Sequence, residues 1–163
     1  MYAPPRVAAE SGPAMIQLAY DPSAHLLCAV ASGQRSSTEN EKLVAAIDEL
    51  DRDGVAYKHT VALALELSPT SAPPDAYWRR RFAIQRQGMK APRVFTSIIT
   101  TSKVLRGVLT AMNWISPMPP HVKSVHHVTI DEAAAWLEIV QGAKGDRTRR
   151  LFAQMAVPLA KAK

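Results

Sequence analysis

The chain's most concentrated chemistry is cationic. Arg79, Arg80 and Arg81 are consecutive, and Arg86 follows in the same stretch. Residues 76–130 carry nine Lys and Arg and no Asp or Glu, whereas residues 1–75 have a net charge of −5. A basic surface of that kind attracts an acidic protein, nucleic acid or an anionic lipid surface; its plain alternative is a solvated face that keeps a small protein soluble. Three successive helical residues fan over about 200°, so the Arg79–Arg81 run cannot follow one phosphate row. Trp78 and Phe82 beside it read as core anchors rather than stacking platforms for bases. Both points favour an acidic protein partner over nucleic acid.

A second group is hydroxylic. Ser68, Thr70 and Ser71 lie in a stretch with Pro69, Pro73 and Pro74. A phosphate there would add about −1.5 to −2 charge beside the basic segment. Loops beyond the carboxyl ends of parallel strands are where ligand and switch residues collect. The stretch is therefore a candidate phospho-switch loop, with an ordinary Ser/Pro loop as the other reading.

Other chemistries lack their residues. None of His25, His59, His121, His126 and His127 is spaced as a helical ligand pair, and Cys28 is the single cysteine, so no metal site is expected. His126 and His127 point to opposite faces if they lie on a strand. Cys28 sits in an apolar run and reads as a buried, inert thiol. There is no G-x-G-x-x-G, no G-x-x-x-x-G-K-[ST] and no G-x-S-x-G, which removes the usual phosphate cradles and the hydrolase elbow. The expectation is a protein that is not an enzyme and holds no cofactor.

The elements that must position these residues follow from periodicity and caps. Met15–Tyr20 alternates, Asp21-Pro22-Ser23 is a turn, and Leu26–Ala31 is a second apolar run; together they predict an antiparallel hairpin. Thr38 and Glu41 have capping-box spacing. Leu43, Ala46, Ile47 and Leu50 then form one helical stripe, and Asp53-Gly54 is read as the stop. His59–Leu67 is a buried strand. Asp75 caps a helix over Ala76 to about Gly88, with Trp78, Phe82 and Met89 inward. Val94–Thr100 is a strand, and Ser102 caps a helix with Val104, Leu105, Val108, Leu109 and Met112 on its apolar side. Val122–His127 is an edge strand. Thr129 and Glu132 open a last helix, Ala133–Gln141, with Trp136, Leu137 and Val140 inward. The order β-β-α-β-α-β-α-β-α predicts an α/β fold: a mixed four- to five-stranded sheet with about four helices.

At 163 residues and 47% apolar, one domain with a real core is expected: a flexible N-terminal arm (1–14), a folded unit (15–142) and a basic C-terminal tail (143–163). In the tail, Leu151, Phe152 and Met155 support either a docked helix or a mobile arm. No 18-residue stretch is free of charge and proline, and residues 1–14 do not have the pattern of a secretory signal. With one cysteine, a reducing, cytoplasmic setting is expected.

The run Thr101-Ser102-Lys103-Val104-Leu105-Arg106-Gly107-Val108-Leu109-Thr110-Ala111-Met112-Asn113-Trp114-Ile115, then Pro117 and Pro119-Pro120, resembles a group of small bacterial proteins, common in myxobacteria, of STAS/SEC14-like type. So does Thr129-Ile130-Asp131-Glu132-Ala133-Ala134-Ala135-Trp136-Leu137, a less specific match. STAS is the domain of anti-sigma-factor antagonists and of sulfate-transporter tails. The resemblance covers about residues 15–141 and implies a non-catalytic signalling role through protein–protein interaction. It places the family's switch serine at Leu67-Ser68-Pro69-Thr70-Ser71, although no Asp precedes Ser68 and no Gly follows it. The expected function is a regulatory interaction module that uses Arg79, Arg80, Arg81 and Arg86. The alternative, from the SEC14 side, is a carrier of a small apolar ligand or lipid, lined by Met112, Trp114, Ile115 and Met118. A third reading is nucleic-acid or anionic-surface binding through residues 76–130. An edge strand, Met15–Tyr20 or Val122–Val128, could pair across a homodimer.

Overall fold

The structure is a computed structural model and describes residues 15–69, 71–141 and 145–161. The expected arm, residues 1–14, and Thr70 lie outside the described residues. The fold is α/β with a five-stranded mixed sheet. Strand β1 (Met15–Asp21) pairs antiparallel with β2 (Leu26–Ser32). Strands β3 (Val61–Leu67), β4 (Val94–Ile99) and β5 (Val122–His127) then add in parallel, in sequence order. Hence β1 and β5 are the two edges. The hairpin turn is a 3-10 turn at Pro22–Ala24, capped by the Asp21 carboxylate and closed by His25 at φ 51°.

The helices are α1 (Ser37–Tyr57), α2 (Ala76–Gly88), α3 (Lys103–Ile115), α4 (Ile130–Gln141) and α5 (Gly145–Lys161). When consecutive parallel strands add in one direction, right-handed crossovers put every connecting helix on the same face. The core follows that rule. Leu43, Ile47 and Leu50 of α1, Phe82 of α2 and Leu105 of α3 pack on the face of Leu63, Leu67, Val94 and Ile98. Ala133 and Leu137 of α4, with Leu151, Phe152 and Met155 of α5, pack on the opposite face of Cys28, Ala62, Ala64, Phe95 and Ile99. The C-terminal segment is thus helical and docked: three apolar residues on one turn reach the sheet, and Arg147 and Arg149 pair with Asp21 (2.7 Å) and Asp131 (3.0 Å).

Two local features differ from the sequence reading. The capping box is Ser36 with Glu39, not Thr38 with Glu41: Glu39 N–H donates to Ser36 Oγ, and Ser36 N–H donates to Glu39 Oε1. The segment Ser36–Glu41 holds two overlapping boxes, and the earlier one gives the helix another half-turn. Further on, α1 does not stop at Gly54. It runs on to Tyr57 and ends at Lys58, φ 51°. Gly54 is there for space: a Cβ on it would lie 2.6 Å from Val61 Cγ1 and 2.7 Å from Ala91 Cβ. The segment before β4 is seated on the same helix, its Lys90 and Ala91 N–H groups donating to the Asp51 carboxylate at 2.8–3.0 Å.

Candidate functional site

The sheet has no point at which the order of its parallel strands reverses, so the crevice that usually opens there is not built. Open space lies instead between the sheet and its α1–α3 layer, and between α2 and α3.

Helix α2 starts where Asp75 accepts Trp78 N–H (3.0 Å), and Trp78 is buried. Gln85, also buried, fixes its middle to α1 by donating to Val44 O and Asp48 Oδ1, both at 2.8 Å. That anchoring decides where the arginines go. Arg79 and Arg80 are exposed, and Arg79 Nη1 donates to Pro74 O (2.8 Å). Arg81 is half-buried. Arg86 is half-buried and turned toward α3, where its Nη1 donates to Asn113 Oδ1 (3.0 Å). Helix α2 therefore does not present four arginines as a single patch: Arg79 and Arg80 are exposed beside apolar neighbours, Arg86 borders the same surface half-buried, and Arg81 does not line it.

Helix α3, capped by Ser102, is loosely seated. Leu105 is its buried residue; Val104, expected inward, is exposed, and Trp114 and Ile115 are 81% and 85% exposed. Two polar bridges join it to α2: Arg86 to Asn113, and Gln87 Nε2 to Ser116 Oγ (2.8 Å). Outside these bridges runs a groove of about 350 Å³, lined by Arg79, Arg80, Ile84, Met112 and Ile115 among others. Inside them is a cavity of about 120 Å³ between the sheet and α1–α3, into which Met112 and Leu109 reach. Of the residues expected to line an apolar pocket, Met112 borders both spaces, Ile115 borders the outer groove, and Met118 packs into the core beside α1 and α2. Trp114 lines neither.

The Ser/Pro loop is tied to the end of β2. Ser68 N–H and the Ser71 hydroxyl both donate to Ala31 O (2.9 and 2.8 Å), and Ala72 N–H donates to Gly33 O (3.1 Å). Ser71 is buried, so its hydroxyl serves the loop's anchorage and is closed to a kinase in this conformation. Ser68 is half-buried; Thr70 lies outside the described residues.

Cys28 is fully buried, and desolvation pushes its thiol up to about 12, which leaves it protonated and unreactive. No group of three or more His, Cys, Asp or Glu among the described residues could hold a metal ion, and no helix there is long and apolar enough to cross a membrane. The sequence reading missed one pair: Ser97 Oγ lies 2.7 Å from His127 Nδ1. Ser97 is fully buried, so the pair satisfies a core hydroxyl and offers no nucleophile to solvent. A serine inside the apolar run Val94–Ile99 was the available signal that a polar partner had to exist.

His126 and His127 do face opposite sides of β5. Burial holds both below the usual 6.5, with Arg106 adding to the effect at His126 and Glu132 opposing it at His127. A base with a depressed folded-state pKa binds fewer protons folded than unfolded, so stability falls as pH drops through about 6.5 toward the lower folded values. Urea unfolding at about pH 7.5 and pH 5.5 is expected to show that loss. Replacing both residues with glutamine is expected to flatten it; an unchanged slope would move the cause elsewhere.

No family model, curated protein or solved structure matches this chain, so the meaning of the groove and cavity follows from their chemistry.

Proposed function

We propose that the chain is a non-enzymatic regulatory module of STAS-like type, which binds an acidic, apolar-faced segment of a partner protein in the α2–α3 groove. The observation that carries this reading is the groove itself. Two exposed guanidiniums, Arg79 and Arg80, flank Ile84, Met112 and Ile115, within a 55-residue segment that has no carboxylate. Exposed large apolar residues rimmed by charge mark interaction surfaces. An amphipathic helix laid into such a groove would bury its apolar side and meet the arginines with its acidic flank. The hairpin followed by three β-α units is compatible with the STAS-like resemblance of residues 101–115 and lends it support. A rigid helix pair on a firm sheet suits a module that relays a signal without remodelling its core.

Affinity capture from native lysate, with nuclease added, tests this reading when wild type and the Arg79→Glu/Arg80→Glu double variant are compared. Both positions are exposed, so the fold is expected to survive. A near-stoichiometric protein that persists through nuclease, and is reduced at least about tenfold by the double variant, is expected. Capture indifferent to the charge reversal would overturn the reading. Capture abolished by nuclease would replace it with nucleic-acid binding.

A further inference from the structure

The inner cavity holds a contradiction that a ligand would resolve. Its lining includes eleven apolar residues, among them Leu63, Leu65, Phe82 and Leu109, and no Asp or Glu, yet two arginines, Arg35 and Arg86, border it. Arg35 Nη1 and Arg86 Nε and Nη2 are buried with no hydrogen-bond partner among the described residues. Native proteins pair buried guanidinium groups almost without exception, because an unpaired one forfeits its hydration for nothing. Leucine or methionine would fill the same space at no such cost.

Each arginine is also held in place. Asn40 Oδ1 accepts from Arg35 Nε (3.0 Å), and Asn113 Oδ1 accepts from Arg86 Nη1. What remains on Arg86 is the Nε/Nη2 edge, the two parallel N–H groups that match the two oxygens of one carboxylate. We propose that this cavity binds a small monocarboxylate with an apolar body, its carboxylate paired bidentately with Arg86 and neutralised further by Arg35. An apolar cavity of about 150 Å³ accepts benzene. At about 120 Å³ the body is a short or cyclic hydrocarbon of at most about five or six carbons, and a long lipid tail would not fit. The bridges Arg86–Asn113 and Gln87–Ser116 lie between cavity and groove, so the ligand enters between α2 and α3.

The test titrates the full chain with hexanoate and benzoate, and with hexanol and hexylammonium at the same ionic strength. The readouts are the methyl NMR signals of Leu65, Leu109 and Met112 and the thermal midpoint. Both carboxylates are expected to shift those methyls and raise the midpoint at millimolar concentration, with the alcohol and the amine at least about tenfold weaker. Arg86→Lys, which keeps the charge and loses the fork, is expected to weaken carboxylate binding about tenfold. Arg35→Gln is an independent second variant should changes at position 86 disturb the fold. Absence of methyl shifts with either carboxylate in wild type would overturn the proposal. So would equal binding of hexanol, or carboxylate affinity unchanged in both variants.

Discussion

Gly54→Ala is expected to destabilise the protein by about 1–2 kcal/mol, and Gly54→Val by about 3 kcal/mol. In an exposed helix the alanine change would stabilise by about 1 kcal/mol, because glycine carries the larger entropy loss. Here the added methyl meets two elements at once, Val61 at the start of β3 and Ala91 just before β4, both below 3.0 Å. Neither is the end of a flexible side chain. Val61 and Ala91 are both buried, so relief requires the helix and the sheet to move apart, and overpacking of that kind costs about 1–3 kcal/mol. The comparison that isolates the cause is Gly107→Ala in α3. A Cβ there meets nothing within 4 Å, and the variant is expected to gain about 0.5–1 kcal/mol. Urea unfolding with unchanged slope would show the two substitutions moving in opposite directions. If Gly54→Ala stabilised as Gly107→Ala does, close approach would not be the reason for the glycine.

The same residue shows where sequence reading runs out. Asp53-Gly54 has the composition of a helix stop, and nothing nearby in the chain says that Ala91 will press against it. The order of strands and helices was legible because it rests on local signals: the alternation of β1, the stripe Leu43–Leu50, and caps at Asp75, Ser102 and Thr129. The overlapping boxes at Ser36–Glu41 show how narrow such a signal can be, since both candidates satisfy the same spacing. Val104 was read inward because the 3.6 period of α3 allows it. The helix buries Leu105, as the same stripe predicts, but leaves Val104 to solvent.

The candidate site was legible only in its charge. The carboxylate-free segment marked α2, and the groove does hold Arg79 and Arg80. The division of the arginines was hidden, because it depends on Gln85 bonding to Val44 and Asp48, about 40 residues earlier in sequence. The cavity was hidden for the same reason. Arg35 lies in the loop before α1 and Arg86 on α2, and they border one cavity only because α1 and α2 cover the same face of the sheet.

Arg86→Met is expected to make the ligand-free protein more stable, by about 1–2 kcal/mol, while abolishing carboxylate binding. Methionine fills the stem's volume beside Phe82, Met89 and Met112 and needs no hydrogen bonds. The lost bond to Asn113 costs about 1 kcal/mol or less, since Asn113 is half-exposed and can turn to water. Against this stands the removal of a desolvated cation with two unpartnered N–H groups. Burial lowers the Arg86 pKa, but an arginine still stays charged throughout the working range. A depressed base costs stability at every pH below its folded-state pKa, so the gain should be the same at about pH 6 and pH 8. A pH-independent rise in the urea midpoint, coupled to loss of hexanoate binding, would mean that the cation is retained for its ligand at the expense of the fold. A fall in the midpoint would instead make Arg86 a strut between α2 and α3, with the Asn113 bond worth more than the desolvation it offsets. The two readings differ in sign, because a residue kept for binding is improved upon, in the empty protein, by removing what the ligand needs.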